Sequence, residues 1–284
     1  MSLSNIHQDI QRIIFNERAN SFDTLSWVSN RDFLGHIFEI IYKFAEEQKS
    51  KGFIIKRFLD VGTGTGEVLK YLSEIYRNQN LLAESIGIGI DISERMIAIA
   101  KSKLSLSKKV SLINCSIYDS ELEYDSFDFI ICRNSFHHFH NPDYALVEMR
   151  KLARKFGKIF IIEGVAPNNY TLEKWKDILT LKDIGRNNIY LSLENIEEFF
   201  KNNYNLEVKY TELTPVKMLL SNWLGNAVIT DDTRREIIKM MDKLYKDEIF
   251  RNQFGLEQIV KAPVDKKDYE FKKRSVLIEI DVVS

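Results

Sequence analysis

The sequence predicts an α/β fold: a doubly wound, Rossmann-like, mostly parallel seven-stranded sheet, with N-terminal helices and a helical cap inserted before the last strand. Three observations predict it. Short apolar runs, RFLDV (57–61), SIGIGID (85–91), KVSLIN (109–114), FDFIICR (127–133) and KIFIIEG (158–164), alternate with segments of helical period. Several runs are apolar at successive positions, as strands covered on both faces are. A glycine-rich turn, GTGTG (62–66), follows the first run at once and leads into the helical EVLKYLSEIY. In a doubly wound sheet that is where the ligand loop lies.

Residues 5–16 and 30–48 read as helices. In the second, Phe33, Ile37, Ile40, Ile41 and Phe44 recur at helical spacing and form one apolar stripe. The Ser/Asn/Asp-rich NSFDTLSWVSN between them reads as a loop that carries Phe22 and Trp27. Ser93 is placed to cap a helix running through Lys101, its hydroxyl accepting a free first-turn amide. Asn141 with Pro142 starts another: a side-chain cap, then a residue whose missing N–H costs nothing there. Leu146, Met149 and Leu152 give that helix its buried face, and Gly157 is expected to end it in a left-handed cap. Residues 165–190 read as a less regular insertion, 193–201 as a helix and 206–213 as a strand. Residues 216–270 look mostly helical, with Ile237, Met240, Met241 and Leu244 at core spacing, and 274–283 form a terminal strand.

The chain has 284 residues, 44% hydrophobic and 29% charged, with a net charge of −1. That balance gives no footprint for nucleic acid or an acidic membrane surface. Lys266, Lys267, Lys272, Lys273 and Arg274 are interleaved with acids and read as a solvated face. Cys115 and Cys132 lie in apolar runs and read as buried thiols without a disulfide. No signal-peptide pattern and no apolar run of about 18 residues is visible. A cytoplasmic protein is expected, with no membrane or nucleic-acid partner.

The glycine loop does not stand alone. Asp91 ends the next strand, 25 residues after Gly66, where a carboxylate can accept both hydroxyls of a ribose. The dinucleotide fingerprint G-x-G-x-x-G is not met, because Glu67 occupies its last glycine position. Asp60, just before the loop, would repel a phosphate and welcome a cation.

With these residues in place, the sequence resembles the class I S-adenosylmethionine-dependent methyltransferases. The resemblance rests on LDVGTGTGEV, on GIDIS with Asp91, and on FDFIICRNSFHHFHNPDYALVEMRKLARKFGKIFIIEG. It is similar to the small-molecule branch that includes the quinone-biosynthesis C-methyltransferases, and it covers about 55–165. It implies S-adenosylmethionine as cofactor. Asp60, Gly62, Thr63, Gly64 and Gly66 would hold its methionine part, and Asp91 the ribose. Ile92 and Met96 would pack on the adenine, with Cys115, Ser116 and Ile117 at its edge. Arg133 and Asn134 would lie under the sulfonium. Many relatives have an aspartate at the Ser116 position. Phe22 and Trp27 sit in a segment similar to the one that closes over the cofactor, and aromatic faces attract a sulfonium.

The pattern along the chain divides it into a helical lid (1–50), a cofactor-binding core (51–213) with the 165–190 insertion, a helical cap (214–273) and the last core strand (274–284). His137 and His138 follow the fourth strand at the carboxyl edge of the sheet, where ligands bind. His138 is the first candidate for a base and His137 the second. As neighbours in sequence they would diverge, and no Cys or acid cluster joins them, so no metal site is expected. His140 reads as exposed. The acceptor pocket should be roofed by the lid, the insertion and the cap, with Tyr170, Trp175, Arg186, Tyr190, Met218 and Trp223 as candidates and Arg186, Tyr190 and Trp223 the first choices for substrate contacts. A cation such as Arg186 suits a carboxylate or phosphate.

The expected function is methyl transfer to O, C or N of a small organic acceptor by in-line displacement. The alternatives are a nicotinamide-dependent oxidoreductase and a non-catalytic member of the fold that keeps the cofactor pocket. A homodimer through the cap is a possible assembly.

Overall fold

In the computed structural model the described residues are 3–76, 82, 85–187, 189–261 and 266–283. The outermost residues of the expected lid and last strand, and part of the expected cap, lie outside them. Helices α1 (Leu3–Phe22) and α2 (Arg31–Ser50) precede the sheet. Then come β1 (Arg57–Val61), α3 (Glu67–Tyr76), β2 (Ile86–Asp91), α4 (Glu94–Lys103), β3 (Val110–Asn114), β4 (Phe127–Arg133), α5 (Pro142–Leu152) and β5 (Ala153–Val165). The remainder is α6 (Asn169–Lys182), α7 (Ile196–Tyr204), β6 (Lys209–Glu212), β7 (Val216–Leu219), α8 (Leu220–Gly225), α9 (Asp231–Lys246), α10 (Glu248–Phe254), β8 (Glu257–Lys261) and β9 (Lys266–Asp281).

The core order is β3-β2-β1-β4-β5-β9-β6. Strands β1 to β5 are mutually parallel, and β9 runs antiparallel to β5 and β6. The period-2 alternation of strands sorts side chains between the two faces. Ile130 and Cys132 of β4 and Ile159 and Ile161 of β5 join the core under α5 and α7. Phe129, Ile131, Phe160 and Ile162 join the core under α2 and α3. Both faces are dry, which is why these strands read as continuous apolar runs. The helix stripe of α2 is seated as its spacing implies, with Phe33, Ile37, Ile41 and Phe44 buried. Ser93 and Asn141 cap α4 and α5 through the amides of Met96 and Tyr144.

Five expectations need correction. Among the described residues the strand count is nine, because β7 and β8 pair with the first half of β9. The last strand begins at Lys266, not 274, and runs out of the core sheet into the cap as one ribbon. The cap is therefore mixed rather than helical: Tyr269 and Phe271 of the ribbon pack with Trp175, Trp223, Met241 and Phe254 in a core of their own. The 165–190 insertion holds the regular 14-residue helix α6, started by a reciprocal cap between Asn168 and Thr171. Gly157 does not cap α5, which ends at Leu152. It lies inside β5, where a Cβ would come within 2.8 Å of the carbonyls of Arg154 and Asp128; close backbone approach, not a turn, requires glycine there.

Candidate active site

The carboxyl ends of β1, β2 and β4 open onto a cleft of about 1000 Å³, solvent at its mouth included. The glycine loop forms its floor. Gly62 and Thr63 both donate to the Ile90 carbonyl at 2.9 Å, Gly64 donates to Asp91 Oδ2 at 2.9 Å, and Gly66 donates to the Thr63 carbonyl at 2.9 Å. These amides are spent within the protein, so the loop is not the free-amide cradle that a diphosphate needs. Gly62 has φ +69, and a Cβ there would lie 2.2 Å from Ser135 Oγ. A Gly62→Ala variant should cost about 1–3 kcal/mol in backbone strain alone, and the displaced Ser135 should weaken cofactor binding about ten-fold, read by thermal melting and titration calorimetry. Gly66 does not line the cleft; it faces Leu104 and Ala100, and its part is to let α4 pack against the loop.

Asp60 and Asp91 are the anionic groups of the cleft floor. Asp60 is 1% exposed and accepts from Thr63 Oγ1 at 2.7 Å. Asp91 accepts from the amides of Gly64 and Ser93. Burial pushes each carboxyl up to about 6, against the hydrogen bonds that favour its charged form. Such carboxylates await a partner that supplies positive charge and hydroxyl donors. Ile92, Met96, Cys115, Ser116 and Ile117 line the far end together with Tyr118 and His140. Ser116 Oγ accepts from the Tyr118 amide at 3.3 Å, as the cap of a short 3-10 turn. His140 is half-buried rather than exposed, 4.4 Å from the Tyr118 ring.

Helix α1 closes the cleft from above. Asn16 accepts from Ser93 Oγ at 2.6 Å, and Asp23 accepts from Thr65 Oγ1 at 2.5 Å and from Lys103 at 2.8 Å. Arg133 donates to the carbonyls of Trp27 and Val28 and stacks on Phe33, while burial lowers its guanidinium to about 10 against the opposing pull of the Asp60 charge. Arg133 thus pins the segment that carries Phe22 and Trp27, whose rings meet edge-on at 5.7 Å. Asn134 takes φ +51, a conformation asparagine tolerates. Its Nδ2, Trp27 Nε1 and Arg133 Nε are buried without partners. Orphaned donors along a cleft floored by two carboxylates fit a ligand that is polar at one edge and cationic at one end. S-adenosylmethionine has that character.

A second cavity, about 870 Å³ with its open mouth, lies behind the first. Phe15, Phe22, Trp27, Asn134 and His138 line both. Its further walls come from β5, α6, the cap and β9. Glu163 of β5 is 1% exposed; it accepts from the Phe136 amide at 3.0 Å and from His137 Nδ1 at 2.6 Å. Burial opposes the Glu163 charge, but His137 holds its carboxyl below the usual range. The Nδ1 position of His137 therefore carries the proton. Burial lowers His137 too, and lowers His138 much further, with His137 adding to the effect. His138 Nδ1 is buried and unpartnered.

Arg186 and Trp223 line this cavity, as do Trp175, Lys182 and Lys273. Tyr190 does not: its hydroxyl bonds Thr180 at 2.5 Å and its ring backs Arg186 at 5.2 Å. Tyr170 is exposed and bonds Asp247, and Met218 is buried in the cap core. Lys273 belongs to the wall of the cavity and not to a solvated face. Glu163, Asp183, Lys182, Arg18 and Phe15 escape sequence reasoning, since no motif marks them. Glu163, an acid in the otherwise apolar KIFIIEG, was the one available signal. Among the described residues no three His, Cys, Asp or Glu side chains gather as metal ligands, and no helix is long and apolar enough to cross a membrane.

Sheet order, loop and paired carboxylates define a Rossmann-like domain for a cationic nucleoside cofactor. Residues 59–161 match the family described as a methyltransferase domain. It is 32% identical over 113 residues to a demethylmenaquinone methyltransferase of Shouchella clausii, covering 38% of this chain and 45% of that one. It is 25% identical over 124 residues to the uncharacterized methyltransferase YcgJ of Bacillus subtilis, covering 42% and 45%. The matched stretch is thus under half the length of these relatives. The crystal structure of YcgJ superposes with a TM-score of 0.63 at 19% identity, over 86% of this chain and 99% of that one, a likeness of fold.

Proposed function

We propose that the chain transfers a methyl group from S-adenosylmethionine to O, C or N of a small organic acceptor seated in the second cavity. The observation that carries this reading is the shared wall: Phe15, Phe22, Trp27, Asn134 and His138 face both spaces. When bound, the cofactor supplies an already activated methyl on a sulfonium. The protein then has to position the acceptor and exclude water.

Asp60 takes the ammonium of the methionine part and Asp91 the ribose hydroxyls. Ile92 and Met96 pack on the adenine. The aromatic faces of Phe22 and Trp27 favour positive charge at the junction of the two spaces. The lid, fastened through Asn16 and Asp23, keeps solvent out. Where the acceptor must lose a proton, His137 is the better base. Glu163 fixes its Nδ1 proton, leaves Nε2 to accept, and stabilises the imidazolium that forms. His138, whose protonated form is strongly disfavoured by burial, serves as a neutral hydrogen-bonding group.

The test is calorimetric binding of S-adenosylmethionine, S-adenosylhomocysteine and NAD(H), followed by transfer of labelled methyl to a panel of small phenols, acids and amines. Micromolar binding of the first two and transfer to at least one acceptor is the expected result. Binding of NAD(H) in their place refutes it.

A further inference from the structure

The second cavity has a charge imbalance that the chain does not resolve. Six cations line it; Arg274 is paired with Glu212 and Lys272 is exposed, which leaves Arg18 of α1, Lys182 of α6, Arg186 just beyond α6, and Lys273 of β9. Two carboxylates, Glu163 and Asp183, oppose them. Asp183 is claimed three times, by Lys182 at 2.7 Å and by Arg18 and Arg186 at 3.8 Å. Glu163 is committed to His137 and to the Phe136 amide. Neither acid is left for Lys273, which has no carboxylate within ion-pair distance among the described residues. Its ammonium touches Ser275 Oγ at 3.1 Å and lies 5.0 Å from the Trp27 ring. Arg186 has its Nε buried and unpartnered, on a side chain 7% exposed.

Removing cations from water without matching anions is unfavourable. The effect is visible in the lysines: burial, with neighbouring cations adding to it, lowers Lys182 and Lys273 each to about 8. An anion placed among them would remove that penalty. Much of the rest of the cavity is lined by aromatic and aliphatic side chains. Trp175 and Trp223 stack at 5.3 Å, backed by Phe254 and Phe271, with Leu172 and Leu179 beside them. Pockets of this kind hold a ring by area and fix it by a few polar groups. Arg186 also donates to the Ile189 carbonyl at 3.0 Å, so a neutral lipid-like acceptor would leave Lys273 without an anion and Arg186 Nε without a partner.

We propose that the methyl acceptor is a flat, conjugated organic acid bound as its anion, with its acidic group held by Lys273 and Arg186 and its ring against the Trp175–Trp223 wall. The proposal rests on the methyltransferase reading above and narrows its substrate class.

Two probes that differ only in charge test it: 2-naphthoate and its neutral analogue 2-naphthamide, titrated by calorimetry into the full chain with and without S-adenosylhomocysteine. All three tryptophans of the chain line this cavity, so their emission reports whether a probe sits there. The expected result is at least ten-fold tighter binding of the naphthoate, with a change in tryptophan emission. A Lys273→Met variant should reduce that preference to about two-fold or less. Equal binding of the two probes, tighter binding of the amide, or no binding of either at millimolar concentration overturns the proposal; these outcomes come from the wild-type chain and do not depend on how a variant folds. Naphthoate preference without S-adenosylhomocysteine binding overturns the methyltransferase reading alone. S-adenosylhomocysteine binding without naphthoate preference overturns this one alone.

Discussion

An Asp91→Asn variant is expected to bind S-adenosylhomocysteine at least about 100-fold more weakly than the wild type, with little change in fold. The carboxylate has two tasks. It fixes the glycine loop by accepting from Gly64 and starts α4 by accepting from Ser93. It also keeps lone pairs directed into the cleft for a ribose diol. Asparagine can retain one of the loop contacts through its carbonyl but loses the charge. Hydrogen bonds to a charged group contribute about 1.5–3 kcal/mol each, and 1.4 kcal/mol is a factor of ten, so two weakened bonds give the stated loss. An affinity within about three-fold of wild type, by calorimetry, would remove Asp91 from the cofactor site.

The same carboxylate makes ligand stabilisation depend on pH, and the sign can be worked out. Burial raises both Asp60 and Asp91 from 3.8 to about 6 in the free protein. Between those values the folded chain binds more protons than the unfolded chain. Their contribution to stability is thus fully present below 3.8 and is lost as pH rises through 6. A ligand with an ammonium and ribose hydroxyls favours the charged carboxylates and restores that loss. The rise in melting temperature caused by saturating S-adenosylhomocysteine should therefore be larger at pH 7.5 than at pH 5, and Asp91→Asn should flatten the difference.

What the sequence reveals here is local chemistry, and what it hides is long-range placement. The strands β1, β2, β4 and β5 are legible because their central residues are buried and mostly apolar; β3, at the edge of the sheet, is half-exposed. The floor of the cleft is legible because its residues fall in one loop and at strand ends. Strand β9 is half hidden. Tyr269 and Phe271 alternate with Glu270 and Lys272, a true half-buried strand pattern, but the run of cations around it resembles a solvated face. Lys273 was assigned to that face for the same reason, although the ribbon turns it onto the cavity. The cation cluster is equally hidden: Arg18, Lys182 with Arg186, and Lys273 come from three separate stretches and meet only because α1, the end of α6 and β9 converge. His140 fails in the opposite way. Next to a helix cap it reads as exposed, yet the ring of Tyr118 covers it.

A Glu163→Gln variant should lower the rate of methyl transfer by about 100-fold or more with an acceptor that must lose a proton, while S-adenosylhomocysteine affinity stays within about two-fold. Glu163 lines the second cavity but is committed to His137 and the Phe136 amide; it is a positioning residue that acts through His137. Its two oxygens serve two donors, the Phe136 amide and His137 Nδ1. Glutamine has one oxygen and one NH2, so it satisfies only one of them. If the oxygen stays on the Phe136 amide, the NH2 faces Nδ1 and drives the imidazole proton to Nε2. The nitrogen needed as acceptor is then blocked, and the charge that stabilises the imidazolium is gone. General-base contributions of about 10²–10⁴ set the scale. The pH profile separates this from simple loss of structure. Wild-type turnover should rise with pH through an ionisation below the ordinary histidine value of 6.5, because burial lowers His137. In the variant that limb should move lower still, because a stabilising carboxylate has been removed. With an acceptor already deprotonated at neutral pH, such as a thiolate, the defect should shrink toward the wild-type rate. An equal loss with both acceptors would mean that Glu163 only holds up the 136–138 turn.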